Sequence, residues 1–495
     1  MKHVLAIDQG TTGTTCLVVG ADGGVVGRGY REITQYYPQP GWVEHDPREL
    51  LARTLEAAAQ ALAQAGVTPD AIGITNQRET VVLWDRRTGE PVHRAIVWQD
   101  RRTAPRCAAL APEAPRITTL SGLVVDPYFS ATKIEWLLQH LGLEERAAAG
   151  ELAAGTVDSW LIWNLTDRAV HATDFTNASR TLLFDIGARR WSEELCALFG
   201  VPPTLLPQVR PSAGNFGVAH ARHLGVDVPI TGVAGDQQAA LFGQGCWRPG
   251  QGKNTYGTGA FLLMNTGHRC PDAGGGLLAT IACDAAGAPA YALEAAIFIA
   301  GAAVQWLRDG LGIITTAAET EALARGIPSA EGVYFVPALV GLGAPNWEPA
   351  ARGTIVGLTR GSTRAHLARA ALEAMAYGTA DVLRVMRERG GAGMAAADAP
   401  LRVDGGATEN GWLMQFQADV LGVPVERPDV IDTTALGAAG LAGLAAGVWP
   451  TADEFLAGRR FTRFTPGEGA LAAQAGASGW ARAVRAALAW ARDDA

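Results

Sequence analysis

The chain opens with an apolar run, Val4 to Ile7, that stops on a carboxylate, Asp8. It turns at once through Gln9-Gly10-Thr11-Thr12 into a second apolar run, Cys16 to Val19. A further turn, Ala21-Asp22-Gly23-Gly24, leads into a third strand near Val25 to Arg31. Strands joined by such tight turns pair antiparallel, so the opening is a meander and not the βαβ unit of a Rossmann domain. The design returns about half a chain later, where Asn254-Thr255-Tyr256-Gly257-Thr258-Gly259 runs into Ala260-Phe261-Leu262-Leu263-Met264. Two like hairpins, each opening one half, point to two domains of related design facing one cleft. Gly-Thr turns are common, so by itself the likeness also admits coincidence. Length favours roughly two to three units, because 495 residues exceed the roughly 250–300 that one core supports. Gly, Pro and charge cluster from Gly245 to Lys253, which divides the chain into residues 1–248 and 249–495.

A formal charge of −8 argues against a general nucleic-acid binder. It does not argue against phosphate chemistry, since backbone amides and a metal ion hold phosphates without net positive charge. The six cysteines lie far apart with no C-x-x-C pair, as expected of thiols in a reducing compartment. Asp8 interrupts the first apolar run too early for a signal-peptide core. From Thr433 to Ala452 no residue is charged, a length that spans a bilayer. The stretch is mostly Ala and Gly, and it predicts a buried helix whose small residues permit close packing. A soluble, cytoplasmic protein with no membrane insertion is expected.

Coarser elements frame the candidate residues. Asp46 as N-cap, Pro47 at the first position and Glu49 in a capping box start a helix that Gly66 ends. A strand around Ala71 to Ile74 leads into the polar run Thr75-Asn76-Gln77-Arg78-Glu79-Thr80, and another strand follows from Val81 to Trp84. Later, Arg402-Val403-Asp404-Gly405-Gly406 reads as strand and turn, with a helix from about Asn410 to Leu421. The last segment, Ser478 to Asp494, predicts an amphipathic helix with Ser478 as its N-cap.

Several of these loops carry chemistry, and each has a bland counterpart. In the first hairpin a glycine lets the backbone approach an anion, and threonine hydroxyls and turn amides bond phosphate oxygens. Asp8 at its base suits Mg²⁺; a capped tight turn explains the same residues. Tyr256-Gly257-Thr258-Gly259 offers the same tools, or a plain turn. Gly235-Asp236-Gln237-Gln238 follows the apolar run Val228 to Ala234. Asp236 is then either a base for an attacking hydroxyl or the N-cap of a helix starting at Gln237. Arg78 and Glu79 would read vicinal hydroxyls or form an ion pair of little consequence. Trp98 and Tyr128 would pack on a carbon face or lie in the core. The nine histidines show no metal-binding spacing.

Taken together and in chain order, these strings resemble the FGGY carbohydrate kinases. They include Ala6-Ile7-Asp8-Gln9-Gly10-Thr11-Thr12, Thr75 to Thr80, Asp126-Pro127-Tyr128-Phe129-Ser130-Ala131-Thr132-Lys133, Gly235 to Leu241, Asn254 to Gly259, Gly341 to Trp347 and Val403 to Asn410. The resemblance implies an α/β architecture of two actin-like, ribonuclease-H-like ATPase domains flanking a central cleft. It implies transfer of the ATP γ-phosphoryl group to the terminal 3-hydroxyl of glycerol, with ATP and Mg²⁺ bound, and a homodimer or homotetramer. Glycerol would meet Arg78, Glu79, Trp98, Tyr128, Asp236, Gln237 and Phe261, with Asp236 as general base. Thr11, Thr12, Gly13 and Thr258 would hold phosphates, and Gly301, Gln305, Gly406 and Asn410 would line the rest of the nucleotide site. Asp8 would lie near Mg²⁺. Another small polyol or ketose, or a non-catalytic nucleotide switch on the same scaffold, are the alternatives.

Two departures stand out. Many relatives carry Arg where this chain has Thr15, which predicts weaker nucleotide binding. Some bacterial relatives bind an inhibitory sugar bisphosphate through a Gly-x-Arg segment; here it reads Gly225-Val226-Asp227, which predicts insensitivity to fructose 1,6-bisphosphate. His220 and His223 match no phosphorylated loop histidine clearly.

Overall fold

The computed structural model describes residues 1–391 and 399–492. The first sheet has six strands, β1 (His3–Gln9), β2 (Gly13–Gly20), β3 (Val25–Glu32), β4 (Ala71–Asn76), β5 (Val228–Gly235) and a two-residue edge strand, Val218–Ala219, antiparallel to β5. β1 pairs antiparallel with β2, β2 antiparallel with β3, β1 parallel with β4, and β4 parallel with β5. The meander expected from the sequence is present.

The second sheet repeats that plan. Its strands are β6 (Gly252–Tyr256), β7 (Ala260–Gly267), β8 (Leu278–Cys283), β9 (Pro289–Ile297), β10 (Leu401–Asp404), β11 (Val425–Pro428) and β12 (Phe461–Phe464). β6 pairs antiparallel with β7, β7 antiparallel with β9, β6 parallel with β10, and β10 parallel with β11. β6, β7, β9, β10 and β11 thus correspond in order and direction to β1, β2, β3, β4 and β5. The two hairpins are therefore the same turn of the same fold, each after the central strand of its sheet. This is the ribonuclease-H-like arrangement that the resemblance implies.

Helix α1 (Pro47–Ala65) covers one face of the first sheet, burying Leu50, Ala57, Ala58 and Ala61 against Leu5, Cys16 and Val18. Asp46 caps it by accepting from Arg48 N, and Gly66 ends it at φ 64°. Glu49 closes no capping box. Its Oε1 instead accepts from Thr34 N and Thr34 Oγ1, because the chain after β3 brings donors to it before it can fold back.

The other face of the first sheet is covered from far away in sequence. After β5 comes α2 (Asp236–Gly243); α3 (Gly301–Asp309), α4 (Arg364–Gly390) and α5 (Gly411–Leu421) belong to the second half. The charge-free stretch forms α6 (Thr433–Ala445), which packs on β4, β5 and α2 in a core with Val4, Ala6, Leu17, Val19 and Ala234. Its small residues bring backbones into direct contact. A Cβ on Gly437 would lie 1.8 Å from Ala239 O, and one on Gly73 would lie 2.2 Å from Ala438 O. No helix of the described residues is long and apolar enough to cross a membrane.

Two further bodies complete the chain. Residues between β4 and β5 form a lobe with its own core around Leu83, Phe129, Ile134, Leu137 and Phe199. The second sheet is backed by α4, α5 and α7 (Ala470–Arg492). α7 starts eight residues before the expected cap, so Ser478 lies inside it and its Oγ donates back to Ala475 O. The run Ala470-Leu471-Ala472-Ala473 already favours helix, which is why a later cap is unnecessary. The expected helix end at Asp494 lies outside the described residues.

Candidate functional site

The first hairpin is held from behind by amides. Gly10 N donates to Gly13 O at 2.9 Å and closes the turn. Gln9 Nε2 and Gln77 Nε2 donate to Gly10 O at 2.7 and 3.2 Å, and Gln35 Nε2 donates to Thr11 O at 2.7 Å. Gln35 is braced by His45 at 2.8 Å, whose imidazole burial pushes down to about 4, so it stays neutral. Thr12 is exposed at the tip, and Gly13 opens β2. Trp98 Nε1 donates to Thr11 Oγ1 at 2.9 Å, and Tyr128 meets Trp98 edge-on with centroids 5.6 Å apart. Both aromatics are half-buried rather than core residues.

Arg78 and Glu79 leave the end of β4 for the floor of the cleft. Glu79 has φ 61°, a left-handed conformation uncommon for a residue with a side chain. Its carbonyl is clamped by Ser130 Oγ at 3.2 Å and Lys133 Nζ at 3.3 Å, and Lys133 also donates to Tyr128 O at 2.6 Å. The clamp is what holds the strained backbone and turns the Glu79 carboxylate toward Arg180 Nε, 2.7 Å away. Arg78 makes a two-pronged contact with Glu294, Nη1 to Oε2 at 2.6 Å and Nη2 to Oε1 at 2.9 Å. Arg180 Nη2 reaches Glu294 Oε1 at 3.0 Å. Glu294 sits on β9 of the second sheet, so one carboxylate from that half ties two guanidiniums of the first. Burial raises the Glu294 carboxyl, but Arg180 and Arg78 outweigh it and hold it at about 2.

Asp236 is the first residue of α2 and not its N-cap; that place falls to Gly235, which has no side chain to cap with. Gly235 also leaves room for Arg78, since a Cβ there would lie 2.8 Å from Arg78 Cδ. Asp236 Oδ1 lies 3.3 Å from Arg78 Nε and accepts from Gln237 N at 2.7 Å, while 31% of the side chain stays exposed to the cleft. Burial pushes its carboxyl up, against the pull of Arg78 and of the Gln237 N–H. Beside it Gln237 Oε1 accepts from Lys253 Nζ of β6. Phe261 enters from β7, directly opposite Thr255 in the ladder.

Asp8 ends β1. Burial, then the carboxylates of Asp236 and Asp432, push its carboxyl up to about 8. The three carboxylates are near enough to repel one another. Among the described residues no three His, Cys, Asp or Glu side chains are arranged to hold a metal by themselves.

Gly301, Gln305, Gly406 and Asn410 come together with Gly257 and Thr258 around one cavity of about 570 Å³. Asn410 Oδ1 accepts from Leu413 N as the N-cap of α5, and its Nδ2 donates to Thr320 Oγ1 at 3.2 Å. Thr11, Thr12 and Gly13 do not line this cavity. Sequence analysis did not single out Glu294, Arg180, Lys253 or Lys133. Glu294 carries a signal, an acid alone in the apolar strand Ala290 to Ile297, which demands a buried cation.

Comparison with known proteins places these features in context. The signature of the FGGY family of carbohydrate kinases matches as its N-terminal domain over residues 3–243 and as its C-terminal domain over residues 252–446. A glycerol kinase of Symbiobacterium thermophilum is 54% identical over 99% of both chains. One of Chromobacterium violaceum is 52% identical over 100% of this chain and 99% of the relative. The crystal structure of Plasmodium falciparum glycerol kinase with ADP superimposes with a TM-score of 0.93 at 35% identity, covering 99% of this chain and 98% of that one. A xylulose kinase of Rhodospirillum rubrum, 24% identical, has a TM-score of 0.88 over 99% and 100% of the two chains, which shows the shared fold alone.

Proposed function

The chain belongs to the FGGY family of carbohydrate kinases, and on that premise we propose that it transfers the γ-phosphoryl group of ATP to the 3-hydroxyl of glycerol, giving sn-glycerol 3-phosphate. The observation that carries this reading is the meeting of Arg78, Glu79, Asp236 and Gln237 at the cleft floor, in a chain alike over its whole length to glycerol kinases.

Phosphoryl transfer needs positioning and charge neutralisation more than covalent work. Glu79 and Arg78 read the hydroxyls, and Trp98, Tyr128 and Phe261 pack against the carbons. Asp236 takes the proton of the attacking hydroxyl; its raised pKa makes it a better acceptor than an ordinary aspartate. The adenosine end occupies the cavity of Gly301, Gln305, Gly406 and Asn410. Thr11, Thr12 and Gly13 from one half and Thr258 from the other hold the phosphates.

Mg²⁺ fits the acid end of the cleft. Asp8, raised by burial and then by the carboxylates of Asp236 and Asp432, offers hard oxygen donors that a cation would draw into the ionised form, and the remaining ligands would be phosphate oxygens and water. When bound, the ion neutralises phosphate charge. We keep residues 1–248 and 249–495 as the two domains, with α6 docked across the boundary. A cytoplasmic homo-oligomer remains our assignment, in keeping with six free cysteines.

The test is ADP release from Mg²⁺-ATP with and without glycerol, beside Asp236→Ala. Glycerol-dependent release that falls by about 10³-fold in the variant is expected of a lost general base. Release indifferent to glycerol would turn the assignment to another polyol.

A further inference from the structure

Lys253 is a buried cation beside Gln237 that has no part in the proposed phosphoryl transfer. It sits on β6, immediately before the second hairpin, and is completely buried. Its ammonium has two hydrogen-bond acceptors, both neutral: Gln237 Oε1 at 2.5 Å and Thr255 Oγ1 at 2.6 Å. A lysine buried at this expense needs a reason. Burial lowers its pKa, while Asp404 and Asp236 work to keep the charge.

An ammonium can only donate. The contact therefore fixes the Gln237 side chain with Oε1 turned to Lys253, and the free end of the amide is Nε2, a donor. Without Lys253 the amide has two nearly equivalent orientations, one presenting an acceptor and one a donor. Gln237 follows Asp236 directly, and its own N–H bonds to Asp236 Oδ1. The two side chains then offer complementary roles, donor and acceptor. A hydroxyl oxygen that accepts from Gln237 Nε2 has its proton left to give to Asp236.

We propose that Lys253 is a positioning residue: it locks the Gln237 amide so that the cleft presents a donor there, and it thereby helps select a hydroxyl as the ligand and orient its proton. This rests on the assignment of Gln237 and Asp236 to the substrate site. Because Lys253 belongs to the second half and Gln237 to the first, the lock forms only when the two halves are packed as they are here.

The experiment is steady-state kinetics on Lys253→Met, Gln237→Leu and the double variant, with Tm recorded for each. Lys253→Met is expected to raise KM for glycerol about tenfold and to change KM for ATP less than about twofold. The double variant is expected to have the glycerol KM of Gln237→Leu alone, since the lysine acts through the amide. Penalties that multiply in the double variant would overturn the proposal. So would a rise in both KM values together with a fall in Tm, which is the mark of a structural role. If Lys253→Met does not fold, Gln237→Glu decides. Its carboxylate strengthens the contact with Lys253 but has no donor for the cleft, so its glycerol KM should match that of Gln237→Leu. A wild-type KM in Gln237→Glu would overturn the lock. Wild-type protein without glycerol-dependent ADP release overturns the substrate assignment and this inference with it, whereas an active wild type with multiplying penalties overturns the inference alone.

Discussion

Asp8 and Thr15 stand directly opposite each other in the β1–β2 ladder, so their side chains lie on one face of the sheet, a few ångströms apart. Thr15 therefore stands beside the carboxyl that burial and neighbouring acids push up to about 8. Thr15→Arg would supply a cation to Asp8 and to the phosphates above the hairpin. We expect it to tighten ADP binding about fivefold, roughly one charge-assisted hydrogen bond at a half-exposed site. Calorimetric titration of ADP into both proteins checks this, and equal affinities would refute it. At this scale the sequence points to candidate residues and says little about their state. Asp8 and Asp236 were nameable from their place at strand ends and Arg78 from a polar run between strands, but the choice between N-cap and exposed acid at Asp236 was not. It depends on Gly235 taking the cap position and Arg78 lying against it.

At the scale of elements, α6 is the part whose role is least visible in its own sequence. An Ala/Gly stretch without charge reads as a buried helix, and its glycines signal close approach. Nothing in it says that the partner is the first sheet, whose strands lie roughly 200 to 430 residues earlier. The packing leaves no space at Gly437, where the backbone of Ala239 already fills the position of a side chain. Gly437→Leu should therefore destabilise the fold by about 3 kcal/mol or more through overpacking. A thermal melt would show this as a clear drop in Tm, and a Tm within a degree of wild type would mean that α6 can shift away from α2. Helix ends show the same division. Asp46 and Gly66 were legible because capping is local. The partner of Glu49 was not, because Thr34 reaches it through the tertiary path of the chain.

At the scale of the molecule, the joint between the halves is ionic. Glu294 accepts from Arg78 and Arg180, and its whole environment is buried. Replacing the acid leaves two buried guanidiniums short of charge, and Glu294→Gln should cost roughly 3 kcal/mol at pH 7. The effect has a pH signature. A carboxyl held at about 2, below its ordinary 4.5, contributes stability that is complete above pH 4.5 and is lost as pH falls toward 2. The Tm gap between wild type and Glu294→Gln should therefore be widest near neutrality and close as pH drops below about 4. Melts across that range test it; a gap independent of pH would show that Glu294 acts through packing and not through charge. Since the same joint holds Arg78 beside Asp236, the variant should also lower kcat.

What the sequence determined is what local chemistry determines: the meander, a second hairpin of like design after Gly252, the turns that suit phosphate, the start of α1 at Asp46 and its end at Gly66, and the strand-end acid at Asp236. Each depends on residues a few positions apart, where steric and hydrogen-bonding rules leave few choices. The tertiary structure alone decided what crosses the halves: α6 on the first sheet, Glu294 between Arg78 and Arg180, and Lys253 against Gln237. These depend on long-range packing and on charges that cannot be buried without a partner, and no spacing along the chain encodes which partner is brought to them.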